Sequence, residues 1–204
     1  MKDIYVVFSS TPYKIGKFIR FFTKEEYNHV SIMFDENMLE AYSFGRKYID
    51  TPFWGGIIKD SISRYKYKNA LADICVCRVA VDDEKYFKAF ETAKNMYENK
   101  DLFVYNLFSA GVSIFRKRLF IHNAYTCVEF CVYILSLIFD NIDKDGFYTV
   151  GELCEEFTEY SVYKGQFNIC GSEDEDFISN KGIKASFKGF FTVVRELAKR
   201  MRAC

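Results

Sequence analysis

Cys127 lies in the part of the chain whose residue types and spacing could most directly do chemistry, residues 123–139. Thr126 and Glu129 have the spacing of a capping box. In that motif a hydroxyl accepts from the third helical amide and a carboxylate accepts from the cap amide. Cys127 would then be the first residue of a helix. The free amides and the positive end of the helix dipole favour a thiolate there, which is the nucleophilic form of cysteine.

The residues after Cys127 predict a helix that is buried on nearly every side. They are apolar at almost every position: Val128, Phe130, Val132, Ile134, Leu135, Leu137, Ile138 and Phe139. Such a helix would hold the thiol rigidly at its first turn. The alternative is that Cys127 is a small buried apolar residue, as free cysteine often is.

A cysteine nucleophile needs a base to take its proton, and the base needs a third group to orient its ring. The chain has two histidines, and both are candidates for the base. His29 lies in a segment of alternating polar and apolar residues. His122 stands five residues before Cys127 but has no evident orienting carboxylate. His29 is therefore the favoured base.

A hairpin predicted over residues 28–44 supplies the third group. Residues 28–34 alternate as in a strand, residues 35–37 are typical of a turn, and residues 38–44 are again extended. If residues 36 and 37 form a two-residue loop, Glu40 lies opposite Met33 and shares a sheet face with His29. A slip of one residue would place Glu40 and His29 on opposite faces.

Three short motifs in this order resemble a known family. They are His-Val-Ser-Ile-Met (29–33), Leu-Glu-Ala-Tyr (39–42) and Tyr-Thr-Cys-Val-Glu-Phe (125–130). They resemble the circularly permuted papain-like cysteine hydrolases related to the NlpC-type cell-wall peptidases, with the YiiX-like branch closer. The resemblance covers residues 4 to about 167, and it implies Cys127 as nucleophile, His29 as base and Glu40 as orienting acid. The lecithin retinol acyltransferase branch is less similar, because it has Asn-Cys-Glu-His where this chain has Thr-Cys-Val-Glu.

Residues 141–152 carry a competing motif, since they fit much of an EF-hand calcium loop. The matching residues are Asn141, Asp143, Asp145, Gly146 and Glu152. Position one is usually Asp, and Tyr148 stands where a small aliphatic residue is usual. Thr149 and Glu152 also have capping-box spacing, in which case Glu152 caps a helix. We therefore expect no metal ion and no other cofactor.

The composition describes an ordered globular protein without a field for nucleic acid. Half of the residues are hydrophobic, 27% are charged and the formal net charge is zero. The seven cysteines are odd in number and scattered, which favours a reducing compartment and a cytoplasmic protein. Cys75 and Cys77 lack further ligands at zinc spacing. No segment has the apolar length of a spanning helix, and the start does not resemble a signal peptide.

Periodicity predicts an α+β fold in one domain over residues 1–204. Strands are expected at 4–8, 28–34, 38–44, 73–81 and 161–169, and helices at 13–22, 83–99, 102–115, 127–139, 149–160 and 186–202. The resemblance adds a papain-like, permuted NlpC-type arrangement in which an antiparallel sheet or small barrel packs on the cysteine helix. The last helix is amphipathic and basic near its end.

The function expected from these features is a cysteine hydrolase or acyltransferase that attacks an amide, ester or thioester. Its substrate would be small and amphipathic or peptide-like, of an acyl-lipid or aminoacyl type. The aromatic segments 18–22 and 187–191 could line an apolar cleft. The alternative is a non-catalytic protein on the same fold that binds calcium or docks peripherally on a membrane. The sequence leaves the oligomeric state open.

Overall fold

The computed structural model describes residues 1–203, without the side chains of residues 15, 18 and 203. The fold is α+β. Its strands are β1 (Lys2–Ser10), β2 (His29–Met33), β3 (Ala41–Arg46), β4 (Gly55–Lys59), β5 (Lys66–Tyr67), β6 (Ala70–Leu71), β7 (Asp73–Val81), β8 (Val104–Tyr105), β9 (Ala124–Tyr125) and β10 (Ser161–Gln166). Its α-helices are α1 (Lys14–Thr23), α2 (Asp83–Glu98), α3 (Leu107–Val112), α4 (Cys127–Leu135), α5 (Val150–Glu156), α6 (Glu175–Ile178) and α7 (Gly182–Ala203).

A six-stranded antiparallel sheet organises the fold, in the order β10-β7-β1-β2-β3-β4. The central strands are apolar along their length, as in the Ile-Tyr-Val-Val-Phe run of β1. A strand that is apolar at every position must be covered on both faces. The sheet therefore lies between two layers, and the predicted antiparallel sheet is confirmed.

The two faces of the sheet carry two separate cores. One core joins alternate residues of β1, β2 and β3 with α2, α4 and α5, and it includes Phe8, Phe44 and Phe130. The other core is smaller and packs Tyr65 and Phe167 against the opposite face. Helix α4 lies on β2 and β3, and the Cys131 thiol donates to the Val30 carbonyl at 3.6 Å. This packing brings the start of α4 to the start of β2.

The predicted helix over residues 102–115 is wrong as a single buried element. The chain instead forms a 3-10 turn, β8, α3 and a second 3-10 turn. Asn106 starts α3 by accepting from the Ser109 amide at 3.0 Å, so the helix cannot extend further back. The second turn leaves Ile114 and Phe115 exposed. Apolar content alone did not distinguish a buried helix from a set of turns.

Candidate active site

The first turn of α4 positions the Cys127 thiol. The Thr126 hydroxyl accepts from the Glu129 amide at 3.2 Å, and the Glu129 carboxylate accepts from the Thr126 amide at 2.7 Å. This is the predicted capping box, and it makes Cys127 the first helical residue. The Glu129 carboxylate also accepts from the Ser109 hydroxyl and lies 3.4 Å from the Arg118 guanidinium. Cys127 is 6% exposed, so a well-anchored backbone presents a thiol that solvent barely reaches.

His29, the first residue of β2, lies between Cys127 and a carboxylate that the sequence did not single out. Its Nε2 atom is 3.1 Å from Oδ2 of Asp60. The Cys127 side chain lies near enough to the ring to raise the pKa of His29 as well. Burial lowers the pKa of His29, but hydrogen bonds with Asp60 and Cys127 raise the pKa by more, to about 9. The surroundings of the ring thus favour its protonated form.

Asp60 follows β4 directly and is the most enclosed polar group of the site. Its side chain is 0% exposed. Besides His29, it accepts from the Tyr65 hydroxyl at 2.8 Å and from the Ser61 amide at 3.2 Å, and the Arg64 Nε lies 3.8 Å away. Burial raises the pKa of Asp60, but His29, Arg64 and Tyr65 lower the pKa by more, so the carboxylate stays ionised. These donors fix it against the imidazole.

Glu40 does not reach His29, so its predicted position in the site is wrong. Residues 34–40 form a longer loop, in which the Asp35 carboxylate accepts from several backbone amides and Met38 has a φ of 57°. The observed register pairs Met33 with Ala41, one residue away from the predicted pairing with Glu40. His29 and Glu40 therefore lie on opposite faces. Glu40 instead binds Lys59 Nζ at 3.0 Å and accepts from the Tyr42 hydroxyl.

His122 lies apart from the His29–Asp60 pair. Its side chain is exposed, and its carbonyl accepts from the guanidinium of Arg200 on α7 at 3.2 Å. The structure thus brings together two of the three predicted site residues, Cys127 and His29, and replaces the third by Asp60. The sequence does show that Asp60 directly follows the apolar segment of β4. Recognising it as the partner of His29 would also have required knowing that β4 pairs with β3.

A cleft of 790 Å³ opens beside Cys127. Its wall includes Tyr105, on β8, which pairs in parallel with β9 just before Cys127. Burial, and then the nearby Cys127 and Glu129, hold the pKa of Tyr105 well above its ordinary value, so its hydroxyl remains a donor. Other lining residues are both apolar and charged: Ile19, Ile114, Val128, Val132, Lys24, Arg116 and Arg118. In the predicted cleft segment 18–22, the side chain of Phe18 lies outside the described residues.

The second capping box of the sequence is present at the start of α5. Thr149 and Glu152 cap each other through bonds of 3.1 and 3.0 Å, and Glu152 pairs with Arg116 at 2.7 Å. The carboxylate expected at position twelve of a calcium loop is therefore occupied by a helix cap and an arginine. Over residues 1–203, no group of three or more His, Cys, Asp or Glu side chains is arranged to hold a metal ion.

The described helices include none with both the length and the apolar character needed to cross a membrane. Comparisons of the chain with protein family models, with curated proteins and with solved structures found no match.

Proposed function

We propose that the protein is a cysteine hydrolase or acyltransferase that uses Cys127 as nucleophile, His29 as base and Asp60 as orienting acid. One observation carries the proposal: the His29 ring is hydrogen-bonded to a fully buried carboxylate and lies near a thiol at the first position of a capped helix. Burying an ionised pair of this kind is costly unless its partners are well placed. The position of Cys127 on the wall of a cleft gives that cost a catalytic explanation.

The arrangement supplies each part of acyl transfer through a covalent intermediate. The His29 cation and the positive end of α4 stabilise a thiolate on Cys127. The sulfur attacks the carbonyl carbon, and the carbonyl electron pair moves onto oxygen. Collapse of this intermediate expels the leaving group, which takes a proton from His29, and an acyl thioester remains. Water or an acceptor alcohol or amine then attacks, gives its proton to His29 and releases Cys127.

The negative oxygen of the intermediate needs two fixed donors. The capping box uses the amides of Thr126 and Glu129, so the Cys127 amide is a first-turn amide that can face the carbonyl oxygen. We assign the second donor to Tyr105, which lines the same cleft as Cys127 and whose raised pKa keeps its hydroxyl protonated.

The likeness of the three motifs to permuted NlpC-type hydrolases supports the same proposal, with Asp60 in the place of Glu40. In chain order the base and its acid precede the cysteine helix, as that arrangement requires. The cleft wall mixes aliphatic side chains with Lys24, Arg116 and Arg118. Such a wall suits an amphipathic acyl or aminoacyl substrate.

The test is a turnover panel of acyl esters, acyl amides, aminoacyl amides and wall-type peptides. Cys127→Ala should lose activity by about four orders of magnitude or more, because no nucleophile remains. Asp60→Asn should lose roughly a hundredfold to ten-thousandfold, because the imidazole loses its tautomer and charge. The matched control is Glu40→Gln, which changes a carboxylate outside the site and should remain close to wild type. Full activity in Cys127→Ala would reject the mechanism, and turnover confined to wall-type peptides would reject the acyl substrate.

A further inference from the structure

Helix α7 exposes a row of large apolar side chains on the face that points away from the protein. Its inner face packs Val193 and Leu197 against residues 121–124. On the outer side, Ile183, Phe187 and Phe191 follow at intervals of four residues and are 77%, 61% and 64% exposed. Residues at this spacing lie on one side of a helix. The amphipathic C-terminal helix of the sequence thus has a second, uncovered apolar stripe.

The charges of α7 are almost all positive. The helix carries six Lys and Arg residues against a single Glu, and Glu196 is engaged by Lys199 at 2.9 Å. Arg200 is also used internally, since it donates to the backbone before Cys127. Lys184, Lys188 and Arg195 are exposed beside the apolar stripe. We call the set Ile183, Lys184, Phe187, Lys188, Phe191 and Arg195 the outer face of α7.

An apolar groove continues the outer face toward the loop that precedes β4. The groove has a volume of 910 Å³ and is lined by Pro52, Phe53, Phe187 and Phe190. Phe53 is 44% exposed, and its ring meets that of Phe190 edge to face at 5.6 Å. Trp54, the single tryptophan of the chain, packs closely on Gly189 of the same helix. The uncovered surface therefore joins a helix and a loop that are fixed to each other.

We propose that the outer face of α7 docks the protein on the surface of an anionic lipid bilayer. Cations that accompany an aromatic stripe along one helix are the pattern of an interfacial helix, in which the rings enter the headgroup boundary and the cations meet acidic lipids. The charge decides between occupants, because a second copy would bring the same positive face against itself. This inference is independent of the proposed chemistry, since it involves neither Cys127 nor the cleft.

The experiment is sedimentation of the full chain with vesicles of phosphatidylcholine, and with vesicles in which roughly a third is phosphatidylserine. One variant, Phe187→Ser/Phe191→Ser, removes the rings. A second, Lys184→Gln/Lys188→Gln, removes charge but keeps the rings. The control is Phe87→Ser, which changes a half-exposed ring on α2. Trp54 fluorescence, read on the same mixtures, reports any change next to α7.

Wild type should bind the anionic vesicles, and binding should be about tenfold or more weaker in the phenylalanine variant. The lysine variant should lose roughly tenfold to thirtyfold, at about fivefold for each charge, and added salt should weaken wild type likewise. Phe87→Ser should bind as wild type does. Absence of binding to anionic vesicles, or equal binding by all three variants, would overturn the proposal. The proposal would also be overturned if wild type did not bind vesicles but formed a dimer without lipid, and Phe187→Ser/Phe191→Ser dissociated that dimer. The outer face of α7 would then be an interface between copies.

Discussion

Asp60 and Glu40 are two carboxylates at strand ends of the six-stranded sheet, Asp60 just after β4 and Glu40 just before β3. Their comparison shows how the surroundings of a carboxylate decide what it can do. Both lie close to a strand end, and both have a lowered pKa. Asp60 is fully buried, with a histidine, a tyrosine and an arginine around it. Glu40 is 35% exposed, and it contacts Lys59 and Tyr42. Solvent can replace the partners of Glu40, whereas it cannot reach the Asp60 carboxylate itself.

The comparison shows that a carboxylate orients a base only where its partners hold it in one place. The side chain of Glu40 gains little from Lys59, because exposed ion pairs contribute less than about 1 kcal/mol. Asp60 loses its hydration on folding, and the fixed donors around it must offset that cost. The surroundings of Asp60 therefore keep a negative charge in a fixed position inside the protein, which is what the orientation of a catalytic base requires.

The largest predicted difference in stability is between the variants that replace each of these two carboxylates by its amide. Asp60→Asn should lower the free energy of unfolding by about 3 kcal/mol or more, because the His29 cation loses its charged acceptor inside the protein. Arg64 keeps its ion pair with Asp174 at 3.0 Å. Glu40→Gln should cost less than about 1 kcal/mol. Urea unfolding at neutral pH measures both. Equal losses in the two variants would contradict the difference in environment.

The next effect is a dependence of stability on pH that belongs to His29. Its pKa is about 9 in the folded protein against an ordinary 6.5. Because the folded state binds the proton more tightly, the contribution is complete below pH 6.5 and disappears as pH rises through 9. Wild type should lose on the order of 2 kcal/mol across this window relative to His29→Gln.

The matched control for this effect is His122→Gln, which removes the exposed histidine and should leave the decline intact. Unfolding curves at pH 6.5 and 9 give the comparison directly. Parallel declines in wild type and His29→Gln would show that the ring is not held as a cation. The lowered pKa of Asp60 acts at the other end of the scale, where stability falls as the acid protonates.

The smallest effect compares the two capping boxes. Thr126→Ala and Thr149→Ala each remove one cap hydroxyl, and each should cost about 1 kcal/mol of stability. Only Thr126→Ala should also slow alkylation of Cys127, because the first turn of α4 holds the sulfur. Thermal unfolding and thiol labelling separate the two consequences. Equal labelling rates of Cys127 in both variants would show that the Thr126 cap does not position the sulfur.

Sequence patterns predicted the parts of the fold that are set locally. The capping box at Thr126 and Glu129 depends on residues three apart, and β7 at 73–81 depends on a run rich in β-branched and other strand-favouring residues. These signals act within one element, so no knowledge of its neighbours is needed. The same holds for α7, although the structure begins it at Gly182, four residues before the predicted start.

The third member of the site could not be predicted in this way, because it depends on register between strands. The Asp35 carboxylate organises the loop between β2 and β3, and the loop shifts the pairing by one residue. That single step moves Glu40 to the other face. Asp60 follows β4, the edge strand that lies beside β3 in the six-stranded sheet. Its partnership with His29 is therefore a contact across three strands.

Reactivity of the cysteines toward limiting iodoacetamide tests the central claim most directly. Cys127 is nearly buried, whereas Cys170 is exposed and has ready access to reagent. If His29 and Asp60 activate the sulfur, mass spectrometry should find Cys127 alkylated before Cys170 in wild type and in Glu40→Gln. Labelling of Cys127 should slow by about tenfold or more in Asp60→Asn, as the thiolate loses its paired cation. Earlier labelling of Cys170, or an unchanged rate in Asp60→Asn, would contradict the account.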